Sequence, residues 1–256
     1  MAKVEWGFAM RNLGEGFETY FQVVPALTPE LKEEVFRIRH EVFCDELKFE
    51  PVHPDGRETD EYDAHSLHCL LRNIHDGVFA GCARLILTRP EDPQYPLPFE
   101  KTCKATIDRN IADPQRFPRD KIGEVSRLAI IAKYRRRKGE KRNVGGFSDH
   151  CFGDEKRPRF PYIPVGLYLG IIALSLRHGV DTIFVLTDPR LATHFGRLGV
   201  EVKQIGGRVE HRGQRVPSMM DCKSIVAGLN LLTRPLYKVI AAEVDQGIGR
   251  HEAAKN

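Results

Sequence analysis

The stretch Glu124–Ala132, EVSRLAIIA, constrains this chain more than any other. From Leu128 onward both alternating sets are apolar, Leu128, Ile130 and Ala132 against Ala129 and Ile131, the pattern of a strand covered on both faces. Its first half carries Glu124, Ser126 and Arg127. Two opposite charges and a hydroxyl at the mouth of an interior strand are costly to bury unless they pair or do chemistry. On these residues alone, an ion pair closing the strand and a reaction site are both open.

Charge distribution narrows the choice. Between Lys133 and Arg159 ten Lys and Arg stand against four acids, a local +6, so the remainder of a chain of net charge +4 sums to −2. One basic patch on a nearly neutral protein points to a specific acidic partner. Aromatic residues are too sparse in that run (Tyr134, Phe147, Phe152) for a nucleic-acid stacking platform. The six cysteines form no CxxC pair, which argues against a zinc site or a disulfide framework and fits a reducing, cytoplasmic setting. MAKVEWGFAM lacks the basic-then-apolar pattern of a signal peptide, and the longest apolar run, Tyr162 to Leu176, is broken by Pro164, Gly166 and Gly170 and too short to span a membrane.

In chain order, Leu13, Phe17 and Tyr20/Phe21 recur at helical spacing. Thr28, Pro29 and Glu30 start a helix whose face is Leu31, Val35, Ile38 and Val42, with Arg39 and Phe43 one turn apart. The polar segment 51–66 holds Glu58, Asp60, Glu61 and Asp63 in a long loop. Leu67–Ile74 and Val78–Leu87 form a hairpin about His75-Asp76-Gly77. On its second strand Arg84 shares an apolar face, so it needs a carboxylate, either Glu124 or the Asp60/Asp63 pair. A Pro-rich excursion, Thr88–Gly123, leads to the opening strand. After the basic stretch come a buried helix (Val165–His178), a buried strand (Thr182–Thr187), a helix from Asp188 to about Leu198, and strands at Glu201–Ile205 and Val209–His211. The order predicts a mixed α/β sheet flanked by helices, one domain over residues 1–256. A basic, incompletely ordered insertion over 133–161 and a frayed tail after about 240 are expected.

Four spacings together, Arg39-x3-Phe43, Asp60-x2-Asp63, Gly81-x2-Arg84-Leu85 and Glu124-x2-Arg127, resemble the acyl-homoserine-lactone synthase branch of the GCN5-related N-acetyltransferase (GNAT) fold. The segments FETYFQVVPALTPEL, VFRIRHEVFC, DEYDAHSLHCLL, PYIPVGLYLG and IGGRVEHRGQRVP are similar to a sister group, the acyltransferases associated with PEP-CTERM/exosortase systems and related to N-acyl amino acid synthases.

This resemblance implies acyl transfer, without metal or bound cofactor, from the phosphopantetheine of acyl carrier protein to a small amine such as an amino acid. It implies that the splayed fourth and fifth strands, Glu124–Ala132 and Thr182–Thr187, hold the donor's arm. The expected roles are then Glu124 as base with Ser126 and Arg127 beside it, and Asp60, Asp63 and Arg84 around the acceptor. Arg39, Phe43 and the Leu128, Ala129 and Ile130 segment would bind the acyl-pantetheine, and Arg135, Arg136, Arg137 and Lys138 would dock the carrier protein. Two departures bear on the substrates. Phe49 stands where homoserine-lactone synthases usually carry Trp, against S-adenosylmethionine as acceptor. The pyrophosphate loop of acetyl-CoA enzymes begins at Arg136-x-x-Gly139 but meets Lys141, against free CoA. A lactone synthase, an acetyl-CoA-dependent acetyltransferase and a non-enzymatic sensor of acyl carrier protein are the rival readings. In a regular strand Glu124 and Arg127 face opposite ways, so a shared site requires a bulge or twist between them.

Overall fold

The computed structural model describes residues 13–135, 153–154, 157–158, 162–188, 196 and 200–255. Helix α1 (Leu13–Tyr20) runs straight into β1 (Phe21–Pro25). Helix α2 (Pro29–Arg39) begins where Thr28 Oγ1 accepts from Leu31 N–H and Pro29 occupies a first-turn position that needs no donor. It continues into a wider π-helical turn, His40–Glu46, a feature often found at functional sites.

Strands β2 (Ser66–Asn73) and β3 (Phe79–Leu87) form the expected hairpin, with Gly77 at φ 71° supplying the turn. A short helix, α3 (Pro98–Thr102), lies in the excursion before β4 (Ile122–Ile130), and α4 (Ala132–Arg135) follows that strand directly. Strands β5 (Gly153–Asp154) and β6 (Arg157–Pro158) pair with each other in a separate two-stranded sheet. Then come α5 (Tyr162–Arg177), β7 (Thr182–Thr187), β8 (Lys203–Gln204), β9 (Val209–Glu210), β10 (Gln214–Asp221), α6 (Cys222–Gly228) and α7 (Thr233–Ala253).

Eight strands make one mixed, open sheet in the order β1-β2-β3-β4-β7-β10-β8, with β9 also on β10. Every pairing is antiparallel except β4 with β7. That parallel pairing runs from Ile122↔Thr182 to Val125↔Val185 and stops, so the rest of β4 diverges from β7.

Helices α5 and α7 cover one face, packing Leu167, Ile171 and Leu174 over Cys69, Leu71, Leu85 and Ile183. A Cβ at Gly170 would lie 2.7 Å from Cys69 Sγ, so only glycine lets α5 approach β2 this closely. Helix α2 covers the other face at Leu70, Cys82 and Ala129, and Leu97 and Phe99 from the excursion cover it at Ile86, Ile122 and Phe184. No helix among the described residues is long and apolar enough to cross a membrane.

Three expectations need correction or fall outside these residues. The tail is not frayed after residue 240: α7 extends to Ala253, burying Leu236, Ile240, Val244 and Ile248 at four-residue spacing. Polar neighbours and Gly247 hide that stripe, yet Gly247 is where α7 meets Pro25; a Cβ there would be 2.9 Å from its ring. Strand β10 lies beyond Val209–His211, the last strand expected, and carries a proline, a residue that argues against an interior strand. Pro217 is tolerated because its carbonyl accepts from Ile205 N–H on the β8 side, so its missing donor also faces that short edge pairing. The helix expected from Asp188 to Leu198 and most of the basic 133–161 stretch lie outside the described residues.

Candidate active site

The first half of β4 is built around a bulge. Opposite β4, Arg84 pairs with Ser126 and Cys82 with Ala129, so two steps along β3 match three along β4. Arg127 takes up the extra residue with φ 51°, a left-handed conformation uncommon for a side chain of its size. The consequence is a change of parity. Glu124, Ser126 and Arg127 all meet groups on the α2 side, while Val125, Leu128 and Ile130 belong to the α5 side. The bulge therefore puts Glu124 and Arg127 on one face.

On that face lies a buried ionic network. Arg39, fully buried, donates Nε to Glu58 Oε2 (2.5 Å) and Nη1 to Asp63 Oδ1 (2.6 Å). Arg84 donates Nη1 to Asp60 Oδ1 (2.6 Å) and Asp63 Oδ1 (2.8 Å), and Nε to Ser126 Oγ (3.0 Å). Arg127 grips Glu58 through Nε and Nη2 and reaches Glu50 and Asp60 at 3.2 and 3.3 Å. Glu50 in turn pairs with Arg212. Burial alone would raise the Glu58, Asp60 and Asp63 carboxyls; the guanidinium hydrogen bonds outweigh it and hold all three below their usual range. The same pairs keep Arg39 charged against the cost of burying it.

Glu124 stands apart from these pairs. It is 3% exposed, and its Oε2 accepts from Phe99 N–H at 2.8 Å. Burial pushes its carboxyl up to about 8, partly offset by that hydrogen bond and by Arg84. Arg84 thus takes the Asp60/Asp63 pair and not Glu124 as its carboxylate partner.

A cavity of about 340 Å³ passes between the diverging ends of β4 and β7. Its apolar wall is Val125, Leu128, Tyr168, Val185 and Met220. Its polar wall is Asp60, Arg84, Glu124, Ser126 and Arg127. Phe43 and Phe49 also line it, as do His211, Arg212 and Arg215 from the β9–β10 hairpin.

The anticipated residues divide against this geometry. Glu124, Ser126, Arg127, Asp60, Arg84, Phe43 and Leu128 border one cavity. Arg39 and Asp63 do not: both are spent inside the ionic network, so Arg39 positions Glu58 and Asp63 where pantetheine contact was expected. Ser126 Oγ sits on Arg84, not on Glu124. Ala129 and Ile130 turn their side chains into the cores under α2 and α5 and leave only backbone toward the gap. Arg135 pairs with Glu46, its side chain 9% exposed, so it is no part of an open basic patch. Arg136, Arg137 and Lys138 lie outside the described residues. Sequence reasoning passed over Glu50, Glu58, Tyr62, His211, Arg212 and Arg215. Glu58 was available as a fourth carboxylate in the same loop; His211, Arg212 and Arg215 lie in the IGGRVEHRGQRVP run that carries the resemblance, which assigns them no role.

Residues 38–143 match the acetyltransferase (GNAT) domain family. An acyl-homoserine-lactone synthase of Pseudomonas fluorescens is 24% identical over 196 residues, 75% of this chain and 80% of that relative. The structure of the acyl-homoserine-lactone synthase LasI superposes with a TM-score of 0.55 at 19% identity, covering 85% of this chain and 94% of that one. The N-acyl amino acid synthase FeeM, from uncultured soil microbes, superposes at 0.52 and 14% identity, covering 83% and 97%. Fold, family match and a cavity at the splayed strands define a GNAT-domain acyltransferase. Within that class the chain is related to the acyl-homoserine-lactone synthases and shares its fold with the N-acyl amino acid synthase.

Proposed function

We propose that this N-acyltransferase moves a long-chain acyl group from acyl carrier protein to the amine of an amino acid or similar small acceptor, in the cytoplasm. The observation that carries the reading is the division of the cavity by the sheet: an apolar wall on the α5 side, and on the α2 side a buried carboxyl beside a fixed ionic network. The acyl chain takes the apolar side, the pantetheine arm lies along the unpaired backbone of β4, and the acceptor amine approaches Glu124.

In this mechanism Glu124, ionised, removes a proton from the acceptor's ammonium, directly or through water. The freed nitrogen attacks the thioester carbonyl carbon, the C–S bond breaks as the carbonyl re-forms, and the nitrogen's surplus proton passes to the departing phosphopantetheine thiolate. A carboxyl that titrates near 8 accepts that proton far more readily than one of ordinary pKa about 4.3. A backbone N–H near Leu128 stabilises the oxyanion. The rigid pairs among Arg84, Arg127, Asp60 and Glu58 hold the acceptor wall in place.

A second reading, lactone synthesis from S-adenosylmethionine, is favoured by the sequence relatives named above. Phe49 on the cavity wall, in place of the usual Trp, speaks against it. The test gives purified protein long-chain acyl carrier protein or the matching acyl-CoA, with either the common amino acids or S-adenosylmethionine. Mass spectrometry should find an N-acyl amino acid from the carrier-protein donor. Release of methylthioadenosine with an acyl lactone would establish the second reading, and equal turnover with acyl-CoA would remove the carrier protein.

A further inference from the structure

Among the described residues, the ionic network leaves one arginine on the cavity wall without a carboxylate. Arg39, Arg84, Arg127 and Arg212 are matched by Glu50, Glu58, Asp60 and Asp63. The charge of each of the first three guanidiniums is therefore already balanced by a carboxylate, and drawing one toward a substrate anion would weaken a buried pair. Arg215, on β10 and also lining the cavity, forms no ion pair among the described residues. Its Nη2 donates only to the carbonyl of Arg212, at 3.3 Å, which orients the guanidinium and leaves most of its donors unused.

Its surroundings keep this end of the cavity positive. Arg212 Nη1 lies 3.2 Å from His211 Nε2, and a guanidinium can only donate, so Nε2 accepts and the imidazole carries its proton on Nδ1. Burial and the nearby charges of Arg127 and Arg215 lower the His211 pKa, holding the ring neutral and a donor. Glu50 Oε1 accepts from both Arg127 and Arg212, and the Arg212 carbonyl accepts from Arg215, a chain of contacts that puts Arg215 on the same side of the cavity as Arg127. A carboxylate one carbon away from an attacking amine falls within that region, whereas the donor's phosphate sits at the far end of its pantetheine arm.

We propose that Arg215 forms a carboxylate-binding subsite, with His211 as an accessory donor, that grips the carboxylate of the acyl acceptor and selects amino acids over simple amines. The proposal rests on the acyl-transfer reading above and names its substrate class. A planar guanidinium can take a carboxylate through two parallel hydrogen bonds, a geometry that lysine's point charge does not reproduce.

The test is direct binding, independent of turnover. Calorimetry would compare an N-dodecanoyl amino acid with its methyl ester on the unmodified protein, on Arg215→Gln and on Arg215→Lys. The expected result is at least tenfold tighter binding of the acid than of the ester. That preference should vanish in Arg215→Gln and be partly kept in Arg215→Lys, with ester affinity unchanged throughout. A preference that survives Arg215→Gln, or no preference in the unmodified protein, including no binding of either ligand, overturns the subsite. Failure of acyl transfer with the binding preference intact would refute the reaction and leave the subsite standing.

Discussion

Arg127 and Glu58, sixty-nine positions apart in the chain, are joined by Nε and Nη2 donating to Oε1 at 3.1 and 2.9 Å. That pair exists only because the backbone of β4 bulges at Arg127. Without the extra residue its guanidinium would point into the α5 core, and Glu58 would face Arg39 alone. A local backbone irregularity thus completes a polar wall assembled from segments distant in sequence.

Glu124→Gln should lower acyl transfer by about 10²-fold or more while keeping the hydrogen bond from Phe99 N–H. In the unmodified protein the rate should climb with pH toward a limb near 8, and the residual rate of the variant should lack it; steady-state kinetics from pH 6 to 9 reads this. Stability follows with the opposite sign. The folded-state pKa is raised, so Glu124's favourable contribution is complete below about 4.5 and is lost as pH rises to about 8. The melting temperature of Glu124→Gln relative to the unmodified protein should therefore increase between pH 5 and 8, each kcal/mol appearing as roughly 2–4 °C.

Arg39→Ala should destabilise the fold by about 3–5 kcal/mol, because Glu58 and Asp63 would stay buried without this partner. Arg37→Ala, two positions earlier and exposed beside Glu34 and Glu41, should cost about 1 kcal/mol or less. Urea unfolding of the two variants measures the contrast.

At position 127 the usual order of alanine and glycine in a strand should invert. Both substitutions remove the ion pairs, but at φ 51° alanine carries a penalty of about 1 kcal/mol that glycine does not. Arg127→Gly should therefore unfold at higher denaturant than Arg127→Ala.

Val185→Phe adds bulk to the apolar wall where β7 leaves β4. The ratio of kcat/KM for long over short acyl donors should fall by about tenfold or more, the scale a few methylenes command in an apolar pocket. A series of acyl carrier protein thioesters of increasing length reads the ratio.

Much of this architecture was legible because its signals are local. Thr28-Pro29 caps α2, His75-Asp76-Gly77 turns the hairpin, and TIFVLT reads as buried strand. The charged mouth of β4 announced itself, and so did its difficulty, since period-two alternation cannot bring Glu124 and Arg127 together. What stayed hidden depends on tertiary context. Pro217 contradicts an interior strand until one sees that its missing donor faces an edge. The stripe of α7 is diluted by polar residues that matter only once α5 and β1 are beneath it. The resemblance carries Arg39, beside Phe43, to the pantetheine, but it does not reveal that Glu58 and Asp63 enclose the guanidinium. Arg215 lies in the IGGRVEHRGQRVP run that carries the resemblance, but no role attaches to it there; its meaning comes from the pairing of the other arginines on the cavity wall.

The short parallel ladder between β4 and β7 has a mechanical consequence. Among the described residues the strands of the two antiparallel blocks, β1–β4 and β7–β10, pair with each other over a seam of four residue pairs, Ile122↔Thr182 to Val125↔Val185, and the Pro-rich excursion adds one bridge beside them, Ile107↔Gly206. A guest whose amides lie in the gap beyond that seam acts as a splice, replacing the missing length of strand and tying the blocks together. Amide exchange along Leu128–Ile130 would register such a splice as stiffness before any product formed.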